Sequence, residues 1–126
     1  MNVIEKVVLF IILILAAMFC EQVHADEWTT ADTYREATYQ TLQAIDWGQT
    51  RNIAEHQSTW YEQNNYLGTH PEMGAVNRYF IAGAALHAAI SYVLPESMRA
   101  PFQYATIGIE AGCVAHNYSL RIGVRF

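Results

Sequence analysis

The segment "VNRYFIAGAALHAAISYVL", residues 76–94, decides which fold class the chain can adopt. It carries one charge, Arg78, near its start, and small and apolar residues fill most of the remainder. Its length and composition favour one long apolar helix and are typical of a membrane span. A second apolar segment, residues 101–117, follows the connector "LPESMRAP", which Pro95 and Pro101 bracket as a turn. We expect two antiparallel neighbouring helices.

A further helix is predicted upstream, at residues 34–55. Thr33 and Glu36 have the spacing of a capping box, in which a hydroxyl and a carboxylate bond the first backbone N–H groups of a helix. One stripe at helical spacing is formed by Tyr34, Thr38, Leu42, Ile45 and Ile53. The sequence therefore predicts an all-α fold, a small membrane helical bundle. Residues 26–126 would form its single domain, with helices at about 34–55, 76–94 and 101–117 and a short extended C-terminal tail.

The first 25 residues resemble a segment that directs a protein into or across a membrane. Lys6 precedes an apolar run over residues 7–19, and small residues, Val23 and Ala25, stand where a signal peptidase inspects the chain. Residues 3–20 are also close to the shortest length that crosses a bilayer. A cleaved signal peptide and a retained signal anchor are therefore both open.

The basic residues predict the location. If the first segment and all three helices cross a membrane, most of the basic residues lie on the cytoplasmic side, as the positive-inside rule requires. Those on the cytoplasmic side are Lys6, Arg51, Arg78, Arg121 and Arg125, and those outside are Arg35 and Arg99. This arrangement predicts a multi-span protein of the inner membrane.

The last residues favour a different location. The tail "YSLRIGVRF", residues 118–126, alternates apolar and polar side chains, which is a strand pattern. It is similar to the C-terminal strand of bacterial outer-membrane proteins. A periplasmic or outer-membrane-associated protein is therefore the alternative location.

The charge balance restricts the partners. Twelve acids oppose seven Lys and Arg residues, for a net charge of −5. Nucleic-acid binding needs clustered basic residues, so this balance argues against DNA or RNA. The lipid bilayer is the predicted partner, and a second copy of the chain or a host envelope protein are further candidates.

No known catalytic motif is present, and the histidines have no ligand spacing, so neither a metal nor a cofactor is predicted. The ionisable groups on apolar helices remain as candidates, because such groups are costly in lipid unless they pair. Asp46, His87 and Glu110 are the candidates for catalysis or proton handling. They would belong to one structural polar cluster that fixes helix register: Asp46, Gln49, Thr50, Glu62, Asn64, His87, Glu110 and His116. We expect Glu110 to bond a polar group near residues 46–50 or at His87.

The stretch "IDWGQTRNIA", together with "YEQNNYLGTHP" further on, resembles small uncharacterised membrane proteins of bacteria and phages. In that group an Asp and a Thr on one helix precede a Glu-x-Asn turn and a Leu-Gly pair. The matching positions are Asp46, Gln49, Thr50, Glu62, Asn64, Leu67, Gly68 and Pro71. The group's Asn-Pro is Asn64-Asn65 here. The resemblance implies a membrane hairpin and no established activity.

Two functions are therefore expected from the sequence. The first is a non-enzymatic inner-membrane protein, such as a phage-type envelope or lysis accessory. The alternative is a small membrane enzyme, or a proton- or metal-handling protein, that uses Asp46, His87 and Glu110.

Overall fold

The computed structural model describes residues 27–126, and these form three helices and no strand. Helix α1 spans Thr30–Glu55, α2 spans Met73–Val93 and α3 spans Glu96–Ser119. α1 packs against both α2 and α3. The all-α prediction is confirmed. The predicted signal peptide or anchor lies outside the described residues.

Each helix begins earlier than the sequence predicted. For α1 the capping box is Thr29 with Asp32, one turn upstream of Thr33 and Glu36. The Thr29 hydroxyl accepts from the Asp32 N–H, and the Asp32 carboxylate accepts from the Thr29 N–H at 2.8 Å. The prediction was wrong because the side chain of Glu36 lies against α2, where it cannot cap α1. α3 likewise begins at Glu96 and runs through Pro101, the residue at which the sequence predicts its start.

The interior of the bundle is largely polar. The predicted stripe on α1 is wrong, since Tyr34 is 70% exposed and only Ile53 of that stripe is buried. The buried hydrophobic residues are Ile53, Val76, Phe80, Leu94, Val114 and Ile122. The buried polar residues are Asp32, Gln43, Gln49, Thr50, His87, Ser91, Arg99 and Gln103. Because buried polar groups are costly without partners, hydrogen bonds must hold this interior together.

Several large apolar side chains of α2 and α3 are exposed instead, among them Ile81, Leu86 and Ile109. Within residues 27–126, no helix combines the length and the apolarity that a bilayer crossing requires. The membrane arrangement of the bundle therefore stays a prediction.

One fully buried arginine joins the three helices at one end. Arg99 is 0% exposed, and its guanidinium donates to the Asp32 carboxylate at 3.0 Å. It also donates to the carbonyl oxygens of Ser91, Leu94 and Glu27 at 2.9, 3.0 and 3.4 Å. The start of α3 is thus tied to the start of α1 and the end of α2.

The same contacts keep Asp32 ionised. Burial by itself opposes ionisation, but hydrogen bonds from Thr29, Arg99 and Arg35 outweigh it and lower the pKa of Asp32 from 3.8 to about 2. A lowered pKa stabilises the fold above the unfolded value, and this stability is lost as the pH falls from 3.8 towards 2. The ion pair between Arg99 and Asp32, here called the clamp, is therefore complete at neutral pH.

The C-terminal tail lies along α1. The N–H of Arg125 donates to the Gly48 carbonyl at 3.0 Å, and the Asn52 amide donates to the Gly123 carbonyl at 3.0 Å. A Cβ atom at Gly48 would lie 2.4 Å from a methyl of Val124, so only glycine lets the tail approach. The strand that the alternating tail indicated is not formed in the described residues, and its apolar residues differ in burial, since Ile122 is 1% exposed and Phe126 is 72% exposed.

The clamp predicts a large effect of removing Arg99. We expect Arg99→Met to lower the free energy of unfolding by about 3 kcal/mol or more, because it leaves Asp32 buried with one fewer cation. Urea unfolding of the full-length protein, followed by circular dichroism, measures the change. The exposed Arg78→Met is the matched control and should change stability by less than about 0.5 kcal/mol. Adding Asp32→Asn to Arg99→Met should restore part of the loss. Equal stability of the Arg99→Met and Arg78→Met variants would contradict the clamp.

Candidate functional site

The residues predicted as one polar cluster belong to separate parts of the structure. His87 lies in a hydrogen-bond network inside the bundle, near the end that Arg99 clamps. Another group lines a pocket beneath the connector between α1 and α2: Asp46, Thr50, Glu62, Asn64 and His116. Gln49 is joined to this group through Asn117. Glu110 lines a groove that adjoins the pocket.

The network at His87 joins all three helices. Its Nδ1 lies 3.0 and 3.1 Å from the two carboxylate oxygens of Glu36 on α1, and its Nε2 lies 2.8 Å from the Thr106 hydroxyl on α3. The Ser91 hydroxyl donates to Glu36 at 2.9 Å. Burial opposes ionisation of Glu36, yet hydrogen bonds from Gln40, His87 and Ser91 lower its pKa.

The Thr106 hydroxyl, the His87 ring and the Glu36 carboxylate follow one another in the order of a nucleophile, a base and an acid. Neighbouring side chains, however, cover this arrangement. The His87 ring is stacked between Tyr39, with centroids 3.5 Å apart, and Phe102, at 4.8 Å. The Thr106 hydroxyl donates to the Phe102 carbonyl of its own helix at 2.9 Å. The hydroxyl proton is therefore engaged, and both faces of the His87 ring are covered by aromatic rings.

The polar pocket is a cavity of about 290 Å³ at the other end of the bundle. It is lined by Asp46, Thr50, Ile53, Tyr61, Glu62, Gln63, Asn64, Phe80, Cys113, His116, Asn117, Leu120 and Ile122. The Asn117 amide donates to Asp46 at 2.8 Å and to Gln49 at 3.2 Å. Asn117 therefore orients Asp46 from α3, and the sequence reasoning missed it.

The connector forms a turn over the polar pocket. The Glu62 carboxylate accepts from the Asn64 N–H at 2.8 Å, and the Asn64 side chain accepts from the Tyr66 N–H at 2.9 Å. The N–H of Gly68 then donates to the Asn64 carbonyl, with φ at +76° in the region that favours glycine. The turn thus forms without a proline at position 65, since local hydrogen bonds close it.

Three carboxylates determine the electrostatics of this end. Burial, followed by repulsion from Glu110 and Glu62, raises the pKa of Asp46 from 3.8 to about 7, against a hydrogen bond from Asn117. Burial also raises the pKa of Glu110. No cationic side chain between residues 27 and 126 forms a salt bridge with any of the three. Within the described residues, these three carboxylates therefore have no cation paired with them.

The predicted hydrogen bond of Glu110 is absent. Its side chain bonds none of the residues in the described part of the chain, and His87 bonds Thr106, which precedes Glu110 by about one helical turn on α3. The register of α2 against α3 determines which residue of α3 bonds His87, because the short connector brings His87 level with Thr106. Glu110 instead acts on Asp46 through its charge alone.

The groove next to the pocket lies between α2 and α3, and α1 forms its floor. Its volume is about 480 Å³, and its lining is Tyr39, Gln43, Asp46, Asn64, Tyr79, Phe80, Ala82, Gly83, Leu86, Ile109, Glu110 and Cys113. Gln43 is 5% exposed, and its side-chain nitrogen donates to the Phe80 carbonyl at 3.4 Å. Its side-chain oxygen has no hydrogen-bond partner in the described structure. Gln43, which lines the groove, therefore carries a buried acceptor without a partner.

A metal finds no ready site here. In residues 27–126, no group of three or more His, Cys, Asp or Glu side chains is placed to hold a metal ion.

Comparison with protein-family models, with curated proteins and with solved structures finds no match for the chain. The function must therefore be inferred from the geometry of the polar pocket and the groove.

The raised pKa of Asp46 gives a pH dependence. Because its folded pKa exceeds its unfolded value, the folded state binds the proton more tightly, and stability should fall as the pH rises from 3.8 to about 7. One pKa unit corresponds to about 1.4 kcal/mol, which limits the loss to about 4 kcal/mol. Thermal unfolding between pH 4 and pH 8 measures it.

We expect Asp46→Asn to flatten this dependence, because its amide cannot ionise. Glu72→Gln, at an exposed position, removes a carboxylate without touching the pocket and should keep the wild-type slope. A wild-type stability that rises steadily from pH 4 to pH 8 would show that Asp46 is not perturbed in this way.

Proposed function

We propose that this protein binds a small organic cation that carries N–H donors, in the polar pocket at Asp46 and Glu62, next to Glu110 in the adjoining groove. The observation that supports it is the set of neighbouring carboxylates without a salt bridge to any described cation. Carboxylates crowded in this way either take up a proton or accept a counter-ion. A bound cation would relieve both the burial and the repulsion.

The chemistry of the ligand follows from the groups it must satisfy. Asp46 and Glu110 are acceptors when ionised, and the oxygen of Gln43 is an acceptor without a partner. A primary ammonium group offers three N–H donors and a positive charge, and charge-assisted hydrogen bonds are stronger than neutral ones. An anion would be repelled. The pocket, at about 290 Å³, has room for a small headgroup.

Proton handling at Asp46 is the second candidate function. A pKa of about 7 lies near physiological pH, where a carboxyl group exchanges its proton readily. The two functions differ in their need for a ligand, because proton exchange requires no bound cation. The leading proposal is a binding protein without catalysis, as the sequence also led us to expect.

The binding proposal predicts a pH-dependent affinity. In full-length protein held in phosphatidylcholine nanodiscs, butylammonium should bind about tenfold more tightly at pH 8 than at pH 6, because Asp46 loses its proton near pH 7. Isothermal titration calorimetry measures the affinity and, in buffers of different ionisation enthalpy, the proton released at pH 6. Tetramethylammonium, which has the charge but no N–H, should bind more weakly.

Asp46→Asn should remove the pH dependence and most of the binding, whereas Glu72→Gln should retain both. If butylammonium fails to bind at pH 8, the cation site is refuted, and proton handling becomes the leading function.

We also propose that the protein works at the inner membrane as a small envelope protein attached through residues 3–20. The apolar run in that segment supports attachment. Exposed apolar side chains of α2 support contact with lipid, since Ile81 is 57% exposed and Tyr92 is 61% exposed. A phage-type accessory role is part of this proposal and rests on the sequence resemblance.

Attachment predicts that the full-length protein stays with the membrane fraction after carbonate extraction. The double variant Leu13→Arg/Leu15→Arg should be released or lost, because two charges in the apolar run oppose insertion. Tyr66→Arg, at a position 83% exposed on the connector, is the matched control and should stay with the membrane. Release of the wild-type protein into the soluble fraction would end this proposal.

A further inference from the structure

We infer that the cation in the polar pocket is the head of an amphiphile, and that its unbranched apolar chain lies in the groove between α2 and α3. This inference rests on the proposed function and adds a ligand class to it, the long-chain primary amines. The groove supplies the apolar surface, and the carboxylates at its end supply the charge.

The polar pocket and the groove adjoin. Four residues line both of them: Asp46, Asn64, Phe80 and Cys113. A head bonded to Asp46 therefore has direct access to the groove.

The walls of the groove carry apolar surface that the described chain leaves uncovered. Leu86 on α2 is 61% exposed, and Ile109 on α3 is 66% exposed. Ala82 and Gly83 also line the groove from α2, and as small residues they leave room beside the helix. Burying such surface against an alkyl chain is favourable, since each buried methylene contributes to binding.

Gln43 is an independent observation that points to the same ligand. It lines the groove, is 5% exposed, and leaves its side-chain oxygen without a partner. Gln43 and Asp46 are three residues apart on α1 and therefore share a face of that helix. A primary ammonium has enough N–H groups to bond both, whereas a quaternary ammonium has none.

The inner end of the groove sets a limit on chain length. There Tyr39 stacks on His87, and the 2.8 Å contact between His87 and Thr106 bridges α2 and α3. The seven residues from Asp46 back to Tyr39 rise about 10 Å along α1, roughly the length of eight methylenes. Longer chains would have to leave the groove.

The charge at the pocket selects among amphiphiles. Phospholipids with an amine headgroup carry a phosphate next to it, and Glu62 and Glu110 would repel that phosphate. Single-chain amines without an anionic group have no such conflict. The predicted occupant is therefore a single-chain amine.

Alkylation of Cys113 tests the inference at the site itself. Cys113 is exposed and lines both the pocket and the groove, so a chain in the groove should slow its reaction with iodoacetamide. Partial burial and the neighbouring acids raise the pKa of Cys113, and all rates are therefore compared at one pH. The full-length Cys20→Ser protein in phosphatidylcholine nanodiscs leaves Cys113 as the remaining cysteine.

The probes are butylammonium, hexylammonium, octylammonium and dodecylammonium, which share one head and differ in the chain. The concentration that gives half-protection should fall about two- to threefold per methylene up to about eight carbons and level off beyond. Lysophosphatidylethanolamine of matched chain length should protect less well than dodecylammonium.

Two groove variants and a control locate the chain. Leu86→Asn and Ile109→Asn should flatten the dependence of the half-protection concentration on chain length, because each replaces an apolar side chain that the alkyl chain would contact. Ile81→Asn changes a comparably exposed residue outside the groove and should keep the wild-type dependence.

Each contrary result has a distinct meaning. Binding of butylammonium with no gain from longer chains would refute the groove inference and leave the cation site intact. Failure of every amine to bind would refute both. A second copy of the chain that fills the groove would appear as a dimer in sedimentation with Cys113 protected before any amine is added, and this would also overturn the inference.

Discussion

The buried ion pair between Arg99 and Asp32 is the constraint on which the rest of the bundle depends. The guanidinium is fully buried and bonds the first turn of α1, the last turn of α2 and the connector into α3. A buried charge is tolerated only when nearly all of its hydrogen bonds are made. The positions of the three helices at this end are therefore restricted to the few in which all the partners of Arg99 can reach it.

From that end the polar interior continues along α1 into the network of Glu36, His87, Ser91 and Thr106. These groups satisfy one another, as a buried polar network must. The pocket at the opposite end differs, because Glu110 and Glu62 repel the charge of Asp46 and none of the three has a salt bridge within the described residues. Asp46 is the clearest case, with a pKa of about 7 where Asp32 has about 2. The polar groups at the Arg99 end satisfy one another, whereas the carboxylates at the pocket end lack a cation. For this reason the proposed ligand is placed at the pocket end.

The sequence contained the pattern that explains this interior. Asp32, Glu36, Gln43, Asp46 and Thr50 recur on α1 at intervals of three, four and seven residues, which places them on one helix face. A helix normally buries its apolar stripe, so periodicity alone predicts burial of the stripe from Tyr34 to Ile53 and not of the polar one. The polar face is the buried one because α2 and α3 offer it partners from other parts of the chain, which periodicity does not reveal.

The sequence by itself determined an all-α fold and the approximate extents of its helices, and it offered Asp46 and Glu110 as candidate site residues. Local periodicity and turn residues carry that information within a few residues of chain. The tertiary structure alone decided that His87 is closed between two aromatic rings, and that Asn117 and Gln43 join the site. These pairings depend on the register of one helix against another, and a shift of one turn would replace every partner.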